Sequence, residues 1–462
     1  LKKNKKHIIN TEPAEANLFS YRKYAFTQFK KNKPAWYASW LLCLIIFIAL
    51  FASFIANDQP IYAKYRGKNF YPVFSQHWLI KSIFNTNAVD STINPETGYW
   101  EKIQFDITDW RTLELEKVIW APIPYSPHKQ DIYNNDFASP RSKQYMKNAQ
   151  GKIVESPWFF RHHLGTDALG RDVLSGLIHG TKVSLLVGFF SVIIAAIIGV
   201  FLGSMAGYFG DNRIKISRAS FWFSVLGIIP AYFYAFHVRR FVIADAFADK
   251  IWWGCVQLLF SLFIFCAIVY LFYKAGTLLK NRFFAKQVSL PVDSIVSRSI
   301  ELLNSLPRLI LIITVSAIIK ERSLLILVII IGFTSWTEIA RFVRAELLKV
   351  RVLDYITAAK ASGLSNRQII LKHALPNALA PVFVTVAFGM ASAILIESGL
   401  SFLGIGVPEE MVTWGSMLNA GRQEFDAWWM IVFPGMAIFI TITIYNLIGE
   451  GLRDALDPKL KN

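Results

Sequence analysis

Residues 181–209 read TKVSLLVGFFSVIIAAIIGVFLGSMAGYF, with Lys182 as the lone charge. A helix needs about 20 mostly apolar residues to cross the hydrocarbon core of a bilayer, and this stretch exceeds that. It therefore predicts a membrane-spanning helix. Gly199, Gly203 and Gly207 recur every four residues and so share one helix face. A neighbouring backbone could approach closely along that face as a packing seam. The plainer alternative is that glycine is simply common in membrane helices.

Comparable blocks lie to either side, at about 36–56, 219–237, 251–273, 306–319, 324–336, 379–396 and 428–448. The chain is 54% hydrophobic, 15% aromatic and positive in mean hydropathy. Soluble domains run at about 45–50% apolar. The blocks are continuous, which excludes the alternating pattern of a β-barrel. The expectation is an all-α polytopic membrane protein of about eight spans. Cys43, Cys255 and Cys266 sit inside apolar blocks and read as packing residues, not a disulfide framework. The first block starts near Trp36, too far in for a cleaved leader, and fits a signal anchor.

The net charge of +17 does not point to nucleic acid. Lys and Arg cluster beside the apolar blocks, where they set orientation, and no nucleic-acid-binding signature accompanies them. The basic stretch 1–35 reads as a cytoplasmic tail. Residues 57–180 then lie outside, too long for a structureless loop, so a small folded element is expected there. Residues 181–218 hold the second span and an inner loop. Residues 219–288 read as a hairpin that leaves and returns to the cytoplasm. Arg239 and Arg240 at its outer turn run against the charge rule, with Asp245 and Asp249 offsetting them. The rest, 289–462, holds the remaining spans and a polar tail, so both termini are expected in the cytoplasm.

One inner segment, 354–376, carries more chemistry than the others. Residues 354–362 favour a helix, and Ala358, Ala359 and Ala361 give it a low-relief surface. Gly363 supplies a left-handed stop. Ser365 with Gln368 forms a capping box for a second short helix, and Pro376 is expected to end the element. A partner could pack closely on Ala358 and Ala359.

The spacing Ala358-Ala359, Gly363, Leu375-Pro376 resembles the EAA loop of bacterial ABC import permeases. Thr357 stands where that motif has Glu, and His373 where Ile is often found. The run His373–Asn377 is similar to the dipeptide/oligopeptide branch. Three further stretches resemble the C-type permease of that branch: His163–Asp172 (with Gly165, Thr166, Asp167, Gly170, Arg171 and Asp172), Leu400–Pro408 and Leu452–Pro458. Phe54–Pro60 is similar to the subgroup that imports larger peptides. The resemblance covers about 36–56, 160–218 and 290–460, and the hairpin 219–288 interrupts it.

That resemblance implies a type I ABC-importer permease in a bacterial inner membrane, with six family helices plus the inserted hairpin. It implies a heterodimer with a related B-type permease, two ATPase subunits that use ATP and magnesium, an external peptide-binding protein and contact with membrane lipid. Thr357, Ala358, Ala359, Gly363, Ser365, His373, Leu375 and Pro376 would form the loop that docks on an ATPase. No cofactor bound by this chain is expected. Nickel chelates or glutathione are alternative cargoes in the same family. A secondary transporter or scaffold without ATPases is the alternative from another class.

His162 and His163 with Asp167 and Asp172 could ligate a metal, but hydrogen bonding and salt bridging among Asp167, Arg171 and Asp172 is the favoured reading. Glu338, Arg341, Arg344 and Glu346 follow a span end and read as a solvated inner helix. Glu397, near the outer end of a span, either pairs with a basic group or faces the translocation path. Gly176–Lys182 lacks phosphate-loop spacing, and neither a zinc-protease helix nor a nucleophile elbow occurs. The chain is expected to catalyse nothing itself.

Overall fold

The structure is a computed structural model that describes residues 21–76, 89–93, 100–105, 108–113, 115–148, 151–249, 251–278, 286–319, 323–408 and 410–456. The basic stretch 1–20, Lys280, Arg282 and the connection Lys320-Glu321-Arg322 lie outside the described residues. The fold is mostly helical. Among the described residues, seven helices are long and apolar enough to cross a membrane, at Lys33–Leu50, Val173–Phe209, Arg218–Ala246, Val256–Leu278, Leu324–Val350, Ala380–Phe402 and Trp429–Leu456. An eighth span exists only if Val292–Asn304 and Arg308–Ile319, bent by 85° at their junction, count as one.

Several boundaries differ from those expected. Helix α3, Val173–Phe209, starts eight residues before Thr181. The Asp172 carboxylate caps it by accepting the Ser175 N–H at 2.6 Å, in the usual cap-to-third-residue geometry. Gly210, at φ 62°, ends it. The block 306–319 is not a free-standing span. Its helix has 12 residues, about 18 Å at 1.5 Å per residue, against a core of about 30 Å. Pro307 lacks an N–H, so the helical ladder breaks there and the chain turns. The helix after it, α9 (Leu324–Val350), runs well past Trp336.

The chain forms two compact units. The first comprises Leu1–Val200, Leu303–Phe342 and Pro376–Asn462. Its helical core gathers Val187 and Val192 of α3, Ile312 of α8 (Arg308–Ile319), Leu327 and Ile331 of α9, and Ile396 and Leu400 of α11 (Ala380–Phe402). The N-terminal α2 (Lys33–Leu50) packs on the terminal α13 (Trp429–Leu456): Asn32 Nδ2 donates to Asp454 at 3.1 Å, and the Ala35 methyl leaves no room for a Cβ on Gly451.

The strands of this unit lie between α2 and α3. β1 (Pro60–Tyr65) pairs antiparallel with β2 (Lys68–Phe70) and β5 (Lys117–Trp120). β3 (Val89–Ile93) with β4 (Trp100–Gln104), and β6 (Tyr145–Lys147) with β7 (Ile153–Glu155), form two hairpins. Ala63, Phe70, Phe105 and Trp110 make a small core of their own. The aromatic-rich section 57–180 therefore holds a folded β element.

The second unit comprises Phe201–Leu302 and Val343–Leu375. Its hairpin is α4 (Arg218–Tyr232), a wide turn at Phe233–His237, α5 (Arg240–Asp249) and α6 (Ile251–Leu278). A Cβ on Gly227 would lie 2.8 Å from Phe272, and one on Gly276 would lie 2.6 Å from the Ser220 backbone. Both glycines thus let α4 and α6 approach closely. At the root, β8 (Lys215–Ser217) pairs with β9 (Gln287–Ser289), so the two ends of the insertion meet in a ribbon.

Candidate coupling site and the buried lock before the second span

Helix α10, Asp354–Ala361, follows α9 after a short turn. Gly363 has φ 77°, the left-handed conformation that glycine adopts without cost. Ser365 then caps the next turn, accepting from the Gln368 N–H while the Gln368 side chain accepts from the Ser365 N–H. The chain continues through a wide turn at Ile369–Ala374 into Leu375–Ala378. Pro376 therefore does not end the element as expected. The Leu375 N–H reaches back to Ile370, five residues away, and this widened ladder tolerates the missing proline N–H.

Thr357 and Ala358 are exposed and Ala359 half-buried, while Ile356 and Ile369 are fully buried beneath them. A Cβ on Gly363 would meet nothing within 4 Å. Around this face Val352, Leu353, Leu364 and Leu371 are exposed, Val352 to 69%. His373 is half-buried.

Tyr208, at the end of α3, is fully buried and anchors the element: its hydroxyl donates to Asn366 at 3.0 Å, and Lys360 Nζ lies 5.7 Å from its ring. Arg351 donates to the Gly207 carbonyl at 3.2 Å. Burial, then the charges of Arg213 and Arg351, push Lys360 below the ordinary lysine range. Sequence reasoning missed Tyr208; its position beside the third glycine of the seam was the available signal.

That seam faces α9. A Cβ on Gly199 would meet the Trp336 carbonyl and Ile339 at 2.8 Å, and one on Gly207 would meet the Arg344 carbonyl at 2.7 Å. Gly203 between them is buried. Gly199 and Gly207 are spaced as Trp336 and Arg344 are, so the two helices stay in contact over two turns.

The stretch before α3 is built differently. Gly165 and Gly170 have φ of 80° and 76°. A Cβ on Gly165 would collide with the Ala138 carbonyl and the Trp429 indole, and one on Gly170 with the Asp131 backbone. Thr166 is buried, donating to the Asn134 carbonyl at 2.7 Å, while its own carbonyl accepts from Trp429 at 3.0 Å. Asp167 pairs with Arg171 Nε at 2.6 Å. Asp172 pairs instead with His162, whose Nδ1 lies 2.9 Å from one carboxylate oxygen and whose Nε2 lies 3.2 Å from Asp131. Only a protonated imidazole donates from both nitrogens. Burial alone would push His162 down, but the two carboxylates together outweigh it and hold it above its ordinary range. His162 is itself fully buried and stacks on Tyr125 at 3.9 Å.

Residues 282–462 match the family described as the binding-protein-dependent transport system inner membrane component, and residues 20–72 match the N-terminal TM domain of oligopeptide transport permease C. The dipeptide transport system permease protein DppC of Alkalihalophilus pseudofirmus is 31% identical over 322 residues, covering 70% of this chain and 79% of that one. This chain belongs to the oligopeptide/dipeptide ABC permease family. The inner membrane ABC transporter permease protein YejE of Escherichia coli is 25% identical over 437 residues, 94% of this chain and 96% of that one. The oligopeptide transport system permease protein OppC of Salmonella typhimurium is 39% identical over 169 residues, 36% and 56% of the two chains. The chain is thus a multi-pass inner membrane permease subunit.

Two groups in this permease depart from expectation. Glu397 has no basic partner among the described residues. It is fully buried and accepts hydrogen bonds from Ser398 at 3.3 Å and Ser401 at 2.9 Å on its own helix and from Ser184 at 3.1 Å, which ties α11 to α3. Arg344 is not simply solvated: it makes a two-pronged pair with Asp293, half-buried, while Glu346 pairs with Lys349 and Glu338 and Arg341 stay exposed. The Asp293 partner lies 51 residues away, beyond what a local reading could find.

Proposed function

We propose that this chain is the C-type membrane subunit of an ATP-driven peptide importer, and that the element 354–376 docks on a cytoplasmic ATPase. One observation carries the docking reading. An alanine-bearing helix with a left-handed glycine stop, followed by a turn capped by Ser365 and Gln368, is exposed and ringed by uncovered apolar side chains. Exposed apolar groups in a cluster mark an interaction site. Its caps are internal, so the element keeps its shape while a partner covers it.

Peptide is the cargo that the relatives support, named as dipeptide, di/tripeptide and oligopeptide permeases. In this reading a related B-type permease completes the pore. Two ATPases supply ATP and magnesium chemistry, an external binding protein delivers peptide, and both termini face the cytoplasm. Closure of the ATPases on ATP would bias the spans between two access states through their differential affinity. Thr357 places no carboxylate in the dock, so the contact rests on shape and apolar area.

The test is purification of the tagged chain from its native membrane in mild detergent. ATPase and binding-protein subunits should co-purify, and peptide should stimulate ATP hydrolysis. A chain that moves solute with no ATPase bound would contradict the proposal.

A further inference from the structure

The glycine-rich turn after α11 leaves a cavity of about 580 Å³ within the first unit, between that turn, the stretch before α3, helix α12 (Trp414–Gly421) and the start of α13. Ligand pockets commonly fall between about 300 and 1,000 Å³ and combine apolar walls with a few convergent polar groups. Gly404, at φ 75°, turns the chain along its wall beside Asn419.

The lining has two chemistries. Met411, Met417 and Met430 all face it, three of the seven methionines in the chain. Methionine is flexible and polarizable and suits surfaces that accept many shapes. Asn419, Gln423 and Arg171 supply amides and a guanidinium, beside two serines and the carboxylates of Asp167 and Asp172, which pair with Arg171 and His162. Asn419 Oδ1 is shielded from solvent yet has no hydrogen-bond partner among the described residues. A buried acceptor left unpaired is costly, so a donor is missing from this site. Arg171 uses Nε on Asp167, and its terminal nitrogens make no other hydrogen bond among the described residues. Such a guanidinium edge suits two-pronged capture of a carboxylate.

We propose that this cavity binds a peptide in transit, Asn419 and Gln423 pairing with its main chain, Arg171 taking its C-terminal carboxylate, and the methionines accommodating varied side chains. The proposal rests on the reading of the chain as a peptide permease. It gives that reading a place where sequence-blind recognition occurs. Main-chain amides and a terminal carboxylate are what all linear peptides share, and a donor amide is what Asn419 lacks.

The complete importer, reconstituted in vesicles with ATP, tests it with tri-alanine and tri-alanine amide as probes. Wild type should favour the acid over the amide, and Arg171→Gln should shrink that preference to about twofold or less. Asn419→Leu should lower uptake of both probes about tenfold, the loss of one buried hydrogen bond. A photoreactive benzophenone side chain at position 411 should capture the peptide. This arm stands even where Arg171→Gln fails to assemble. Wild-type uptake with both variants unaltered would overturn the cavity site alone, as would capture of the second permease subunit only. A wild type that moves neither probe would overturn the peptide reading beneath it.

Discussion

Two connecting stretches of this permease use glycines at positive φ and hydrogen-bonded caps, yet they end in opposite states. Residues 354–368 close mainly local hydrogen bonds, Ser365 with Gln368 and Ser362 with Ala358, beside the long-range Tyr208–Asn366 bond, and stay largely exposed except for Ile356. Residues 162–175 close theirs over long range, His162 with Asp131, Thr166 with Asn134 and Trp429, and are largely buried. The first is an element with a free face. The second is a lock in which His162, Thr166 and Asp172 are held by partners within the chain. A glycine turn alone therefore says nothing of role; the balance of local and long-range hydrogen bonds separates an exposed element from a buried joint.

The comparison can be broken at either end. Asp172→Ala strips the buried His162 of one carboxylate and α3 of its cap, and should cost about 3–5 kcal/mol, read as a large fall in melting temperature in detergent. A shift within error would show that the joint is not locked this way. The same clamp makes stability depend on pH. Its contribution is complete below about pH 6.5, where His162 is charged in folded and unfolded chains alike, and is lost as pH rises through the higher folded-state value. Melting temperature should fall as pH rises above about 6.5 in wild type and lose that component in Asp172→Ala.

At the exposed end, Gly363→Pro forces a negative φ where the chain needs 77°, and should cut ATP-driven uptake about a hundredfold while the chain still inserts. Unchanged uptake would remove the element from the mechanism. Gly207→Val sets a branched side chain against the Arg344 carbonyl and should destabilise the seam by about 1–3 kcal/mol, seen by melting. Least of all, Thr357→Glu should change uptake less than about twofold, because the side chain is exposed and makes only a 3.5 Å contact with Leu353.

What the sequence disclosed follows the same division. Hydropathy located the spans, and local chemistry located the Gly363 stop and the Ser365–Gln368 box, because both depend on residues a few places apart. The clamp on His162 joins positions 131, 162 and 172, and Tyr208 meets Asn366 across 158 residues. No periodicity reports such pairings. Span ends drifted for a related reason. Asp172 caps α3 among polar residues that hydropathy discounts, and the chain bends by 85° around a proline inside what looked like a separate apolar block. The serine cage of Glu397 was hidden because Ser184 comes from another helix.

The account turns on whether the face of Ala358 meets an ATPase. With Cys43, Cys255 and Cys266 replaced by Ser, Ala358→Cys should form a cross-link to an ATPase subunit in native membrane vesicles through a short thiol-reactive linker, weakened when nucleotide is removed. A cross-link to the external binding protein instead, or labelling of that thiol only from outside the cell, would contradict it.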